Sequence, residues 1–334
     1  MNKQKRILTG DNATGKLHLG HYVGSLENRI RLQNEYDTFI ICADLHAFAY
    51  PKYAENPDLV AQSVLDVTTD NLAAGLDPKK VKFFTESSIP EIYELSAILS
   101  MIVSHARVMR NPTLKEEIKV KNMGENYSLG FVNFPVFQVA DILCVNADLV
   151  PVGEDQVPHL ELTREIAKKF NKTYGDVFVE PAPLIGRIKR LVGIDGDAKM
   201  TKSLDNTIYL SESTENLRKK VKSMYTDPNR LKPTDLGVVE GNPVFSYHDA
   251  FNPNLEEIAD LKARYLVGKV GDVEVKDKLF IALDAFLEPM RERRVQYEKN
   301  PDLVYDILRH GIKITREEAQ KILGEVKEKM KLLQ

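Results

Sequence analysis

The chain has 334 residues, 43% hydrophobic and 28% charged, with a formal net charge of −3. That composition fits an ordinary soluble protein long enough for two domains and excludes a membrane protein, since no apolar run nears the roughly 18 residues of a span. The slightly negative charge also excludes nucleic-acid binding through a global positive field, so any RNA contact has to use local basic patches. Cys42 and Cys144, each among apolar neighbours, read as buried thiols rather than a disulfide framework or a zinc site. The opening MNKQKRILTG carries no apolar core of a secretory signal, and the cytoplasm is the expected location.

A short apolar run, Ile7 and Leu8, leads into Thr9 to His21, TGDNATGKLHLGH. Its three glycines, Gly10, Gly15 and Gly20, allow tight turns and close approach to a ligand. From Leu19 the apolar positions Leu19, Val23, Leu26 and Ile30 recur at helical spacing, which sets His18 and His21 at a helix start. Free N–H groups and the dipole suit phosphate there. Gly10, Gly15 and Lys16 have the spacing of a P-loop, but Leu17 stands where Mg²⁺ coordination needs Ser or Thr. His18-Leu19-Gly20-His21 offers the competing motif, and a turn whose histidines merely cap a helix is the plain alternative.

Thr38 to Ala43 has the continuous apolar look of a parallel strand buried on both faces. Asn56-Pro57 then opens a helix through Leu59, Val60, Val64, Val67 and Leu72, which Gly75 ends. Val81 to Phe84 is a further strand. Helical patterns follow at Glu91 to Ser104 and after Asn111-Pro112, and Lys121 to Gly130 reads as a loop. Phe134 to Leu143 is an apolar helix interrupted by Asp141, whose carboxylate needs a donor if buried. Ala147 to Val152 leads to Gly153-Glu154-Asp155-Gln156, and the helix to Phe170 places Lys168 and Lys169 in its last turn, where they suit the dipole. Strand and helix alternate throughout, which predicts an α/β fold with a Rossmann-like, doubly wound parallel sheet and ligands at the carboxyl ends of the strands.

Gly196 to Ser203, GDAKMTKS, reads as a mobile loop whose Lys199 and Lys202 either reach one polyphosphate together or are simply solvated. Beyond Asp205 the pattern is helical. Arg218, Lys219, Lys220 and Lys222, then Arg230 and Lys232, and later Arg291, Arg293 and Arg294 form basic clusters that suit RNA phosphates or a solvated face. Helices are expected at Leu255 to Leu266, Asp277 to Asn300 and Pro301 to His310. A last helix starts at a capping box of Thr315 and Glu318 and carries the stripe Ala319, Ile322, Val326 and Met330, which should pack on a domain. The expected division is a catalytic domain at 1–204, a helical domain at 205–312, and a final helix at 315–334 returning to the first.

HLGH at 18–21, GEDQ at 153–156 and KMTKS at 199–203, in that order, resemble a class I aminoacyl-tRNA synthetase. VPVGEDQVPHLELTREIAKKFN, FPVFQVADIL and LRKKVKSMYTDP resemble the tryptophanyl branch, and the likeness runs essentially end to end. The tyrosyl branch and a non-catalytic paralogue that binds tRNA are the alternatives. The resemblance implies that tryptophan and ATP form an adenylate and pyrophosphate, after which the aminoacyl group moves to tRNA(Trp). It also implies a homodimer and a tRNA anticodon-binding role for 205–312.

On the same resemblance Gly10, Asn12, Ala13, Thr14, Gly20 and His21 line the ATP, with His18 supporting them. Gly153, Glu154 and Asp155 meet its ribose side, and Ile188 joins the nucleotide site. Lys199, Met200, Thr201, Lys202 and Ser203 belong to the phosphate loop. His18, His21, Lys199 and Lys202 are the candidate catalytic residues. Asp141 is expected to accept the indole N–H, with Phe137 and Gln156 in the same pocket. Mg²⁺ is expected to arrive with ATP, held by phosphates and water rather than by a protein cage. The chain departs from the pattern at Thr201, which replaces a more familiar serine, and at Asn133 and Phe137, where many members have tyrosine and methionine.

Overall fold

Five strands, all parallel, form the sheet: β1 (Arg6–Asn12), β2 (Asp37–Ala43), β3 (Val81–Thr85), β4 (Leu149–Val152) and β5 (Ala182–Ile185). The computed structural model describes residues 4–120, 123–124, 127–188, 191–196, 200–227, 230 and 232–333, with the backbone alone at 120 and 203. Strand order is β3-β2-β1-β4-β5. From β1 the chain winds outward through β2 and β3, then crosses back to place β4 on the other side of β1. Such a reversal opens a crevice beyond the strands' carboxyl ends, which here are Asn12, Ala43 and Val152, the first two paired in register.

Alternate residues of β2 face opposite cores, as the two-residue period of a strand requires. Ile40 and Cys42 join one cluster, which also contains Leu17, Leu19, Val67, Leu72, Leu279 and Leu283. Phe39 and Ile41 join the other, with Phe131, Val139, Phe170, Ala319 and Val326. The first cluster is therefore continuous with residues of the helical segments Thr214–Ser223, Pro243–Phe251, Leu255–Leu266 and Asp272–Glu298. Both cysteines are buried free thiols. Among the described residues no helix is long and apolar enough to cross a membrane.

Three local expectations are corrected. A single helix, Pro301–Met330, replaces the expected break between 310 and 315. Thr315 is buried in its interior and caps nothing, while Glu318 ion-pairs with Arg6 and Lys321. The helix continues because Gly311 lies against β3, where a Cβ would stand 2.0 Å from the carbonyl oxygen of Phe83. Lys168 and Lys169 are not in a last turn, since their helix runs Val157–Tyr174, and Lys169 instead donates to the Ile102 carbonyl at 2.6 Å. The helix after His18 is not uniform either: Leu19–His21 passes through a wide π turn, Tyr22–Leu26, before Glu27–Leu32.

Candidate active site

The loop after β1 is fixed mainly through its backbone. Ala13 N–H donates to the Ala43 carbonyl at 3.2 Å, joining it to the end of β2. Gly10 has to be glycine, because a Cβ there would lie 1.9 Å from the Ile41 carbonyl oxygen, and Gly15 turns the chain with φ of +92°. Leu17 is buried; its N–H donates to Asp70 Oδ2 at 2.7 Å, and its carbonyl accepts from Leu210 N–H at 3.0 Å. Leu19 N–H in turn reaches the Ile208 carbonyl at 3.0 Å. The segment following the KMTKS stretch thus clasps the segment carrying the histidines.

His18 and His21 cap the turn together. His18 Nδ1 accepts from Gly20 N–H at 3.1 Å, and His21 Nδ1 accepts from His18 N–H at 3.1 Å. With both Nδ1 atoms used as acceptors, each neutral ring carries its proton on Nε2, which is then a donor. The ring centroids are 3.8 Å apart. Gly20 leaves room for this, since a Cβ would sit 2.9 Å from His18 Cε1 and 3.6 Å from Met200 Sδ. Met200 is itself buried and meets the histidine turn from the KMTKS side.

Lys199 lies outside the described residues. Thr201 N–H donates to Asn206 Oδ1 at 2.8 Å, and Asn206 Nδ2 to Asp195 Oδ2 at 2.8 Å. Lys202 Nζ donates to the carbonyls of Gly15 at 2.7 Å and Thr14 at 3.1 Å, which brings the KMTKS stretch to the loop after β1. Burial pushes the Lys202 ammonium down to about 8, against the pull of Asp11, Asp70 and Asp66. The backbone of Ser203 lies in the short turn Lys202–Leu204. Ile188 packs against the first core cluster, near Gly186, whose close approach to the Val23 and Gly24 carbonyls excludes a Cβ.

Gly153 follows β4, and the Asp155 carbonyl accepts from Thr113 Oγ1 at 2.9 Å. Gln156 is held between Asp155 (3.1 Å) and Gln138 (3.3 Å). Asp141 is 5% exposed, and its Oδ1 has no hydrogen-bond partner. Burial first, then Glu86 and Asp44, raise its carboxyl well above the usual range. Burial also lifts Glu86 to about 7, although it accepts from His46 N–H at 3.0 Å. Aromatic rings border these groups: Phe137 is 6.2 Å from Tyr93, and Phe134 is 4.5 Å from His46. The arrangement suits a flat apolar molecule that presents one N–H to Asp141.

Sequence reasoning missed Asp44, Glu86 and Tyr93 around Asp141, and Asp11 beneath the nucleotide loop. Burial would raise Asp11, but Arg29, at 2.6 Å, and Asn71 hold it below its usual value. Position was the available signal, since Asp11 lies near the end of β1 and Asp44 and Glu86 directly follow β2 and β3. The arginine cluster is committed inside the fold: Arg291 ion-pairs Asp284 at 2.7 Å, Arg293 donates to the Ala73 carbonyl at 2.5 Å, and Arg294 pairs with Asp66 and Asp70. Arg230 pairs with Asp272 at 2.6 Å and Lys220 with Glu212 at 2.6 Å. These side chains serve packing, whereas Lys219 is exposed.

The family model described as class I tRNA synthetases (W and Y) matches residues 1–288. The chain is 49% identical over 331 residues to the tryptophan–tRNA ligase of Treponema pallidum, covering 98% of this chain and 97% of that one. It is likewise 49% identical over 332 residues to that of Lactococcus lactis, covering 97% of each. Among solved structures, tryptophanyl-tRNA synthetase from Campylobacter jejuni complexed with ADP and tryptophan superposes with a TM-score of 0.84 at 30% identity, covering 98% of this chain and 100% of that one. Tyrosyl-tRNA synthetase from Aeropyrum pernix, at 20% identity and a TM-score of 0.69, shares the fold over 96% of this chain and 90% of its own. With paired histidines, a clasping lysine and a parallel sheet in this agreement, the chain belongs to the class I tRNA synthetases of the tryptophan and tyrosine family.

Proposed function

We propose that this chain is a tryptophan–tRNA ligase, which joins tryptophan to ATP as an adenylate and then passes the aminoacyl group to the 3′ end of tRNA(Trp). The observation that carries the choice of amino acid is Asp141 Oδ1, a buried acceptor without a donor beside aromatic rings. An indole N–H satisfies it, and phenylalanine has no donor to offer and leaves the cost of an unmet buried acceptor in place; a tyrosine hydroxyl can also donate, so the shape of the pocket has to exclude tyrosine. Phe137 borders the ring, and Gln156 turns its amide toward the same end of the sheet.

In the first step the tryptophan carboxylate attacks the α-phosphorus of ATP in line, and pyrophosphate leaves. Positioning and charge neutralisation are the protein's work, so no covalent nucleophile is required. The loop from Gly10 through Thr14, with Gly20, leaves space for the nucleotide, and the Nε2–H groups of His18 and His21 are donors for phosphate oxygens. Gly153 to Asp155 meet the ribose. Lys202, whose ammonium lies at the Gly15 and Thr14 carbonyls, meets the departing phosphates, and Lys199, Met200, Thr201 and Ser203 are assigned to the same phosphate site. Mg²⁺ bound with ATP would be held by its phosphates and water and would neutralise charge there.

Residues 205–312 form the region that takes the tRNA anticodon, and 1–204 the catalytic part. The free thiols suit the reducing cytoplasm. A homodimer is the assembly expected of this family, and the exposed apolar side chains of Met101 and Leu129 are compatible with it. Labelled pyrophosphate should enter ATP when tryptophan is supplied and not when tyrosine is; exchange with tyrosine alone overturns the assignment.

A further inference from the structure

Arg294 sits on the Asp272–Glu298 helix and is 4% exposed. Its guanidinium ion-pairs with Asp66 at 2.6 Å, with Glu298 at 2.7 Å, and with Asp70 Oδ1. Asp70, on the Pro57–Ala74 helix, is 1% exposed, and its second oxygen accepts the Leu17 N–H at 2.7 Å. The next residue is His18. Leu17 is thus held at its N–H by Asp70 and at its carbonyl by Leu210 N–H.

A buried ion pair is poor value for stability alone, because apolar residues of similar size often pack as well; removing one partner, however, strands the other charge. What this pair supplies that apolar residues would not is an oriented acceptor for one peptide N–H of the nucleotide loop. We propose that Arg294 and Asp70 are positioning residues for the activation step: Arg294 clamps Asp70 Oδ1 so that Oδ2 fixes the Leu17 peptide and, through it, the backbone that presents His18 and His21 to ATP. This rests on the reading of that loop as the ATP site. The clamp also accounts for one of the most buried charges of the helical region, which ends within the catalytic core and not on a surface for RNA.

The effect is specific in direction. Leu17 belongs to the first core cluster, whereas Phe134 and, packed against it, Phe137, on the helix that carries Asp141, belong to the second, and Asp141 takes no part in the Arg294–Asp70–Leu17 contacts. Losing the clamp should therefore loosen ATP and spare tryptophan. A hydrogen bond to a charged acceptor corresponds to about a ten- to hundredfold change in an equilibrium constant.

The test is calorimetric titration of ATP and of tryptophan into the full-length wild type, Arg294→Met, Asp70→Ala, the double variant and Arg294→Lys, with binding stoichiometry counting the folded sites. The expected result is that Arg294→Met and Asp70→Ala each weaken ATP binding about tenfold or more, that tryptophan binding stays within about twofold, that the double variant is no worse than the single ones, and that Arg294→Lys recovers part of the loss. Unchanged ATP affinity per folded site, an equal loss for tryptophan, or additive losses in the double variant would each overturn the proposal. A wild type that binds tyrosine in place of tryptophan would refute the assigned substrate and leave the ATP comparison readable.

Discussion

Lys202 Nζ donates to the Gly15 carbonyl oxygen at 2.7 Å, across 187 positions of sequence. The same ammonium reaches the neighbouring Thr14 carbonyl, so a cation suited to phosphate lies on peptide oxygens of the loop after β1. These carbonyls satisfy a partly desolvated cation.

The lowered value of Lys202, about 8, has a signed consequence. The folded state releases this proton near pH 8 and the unfolded chain near 10.5, so between these values the unfolded state holds more protons and this group's contribution to stability rises with pH. Activity should move the opposite way, because a neutral amine cannot offset phosphate charge. The kcat/KM for ATP in pyrophosphate exchange is expected to fall above about pH 8. Lys202→Arg, which stays charged, should be slower at neutral pH yet lose that fall; a fall that persists in the arginine variant would assign it elsewhere.

Asp141 gives the converse case. Burial, with Glu86 and Asp44 beside it, raises its carboxyl well above the usual carboxylate range, so the folded state retains a proton that the unfolded chain gives up. Stability from this group is full below about pH 4 and is lost as pH rises toward the folded value. Asp141→Asn should therefore melt higher than wild type at pH 8, with the gap closing on acidification to about pH 4. Asp141→Ala should raise the tryptophan KM several-fold, up to about tenfold, the cost of one hydrogen bond to a neutral buried acceptor. Melting curves against pH and exchange kinetics check the two halves separately.

Gly311 tests the path of the last helix. Helix propensity alone predicts that Gly311→Ala stabilises by about 1 kcal/mol. Contact predicts the reverse, since the new Cβ would lie 2.0 Å from the Phe83 carbonyl oxygen and 2.6 Å from its nitrogen. Overpacking of this kind costs about 1–3 kcal/mol. Urea unfolding should show a net loss of stability; a gain would mean the helix does not rest on β3.

HLGH is legible because it is local, turning on itself through His18 and His21, and β2 is legible because it is apolar on both faces. β5 escaped notice because APLI is short, contains Pro183 and is only partly buried at the sheet edge, so it lacks a strand's usual run or alternation. The last helix was split wrongly because Gly311 looks like a stop in sequence and becomes a close-contact residue only once β3 lies beside it. Arg294 could not be told from a surface arginine, since its partner Asp70 is 224 positions away. Asp141 was conspicuous as a charge in an apolar helix, but Glu86 and Asp44 needed the strand order that brings the ends of β2 and β3 to the same side.

The whole account is tested most directly by aminoacylation itself. Purified protein, ATP, Mg²⁺ and labelled tryptophan should yield label on the 3′ end of tRNA(Trp) and none on tRNA(Tyr). Absence of charging by protein that binds both ATP and tryptophan, or charging of tRNA(Tyr) with tyrosine, would contradict it.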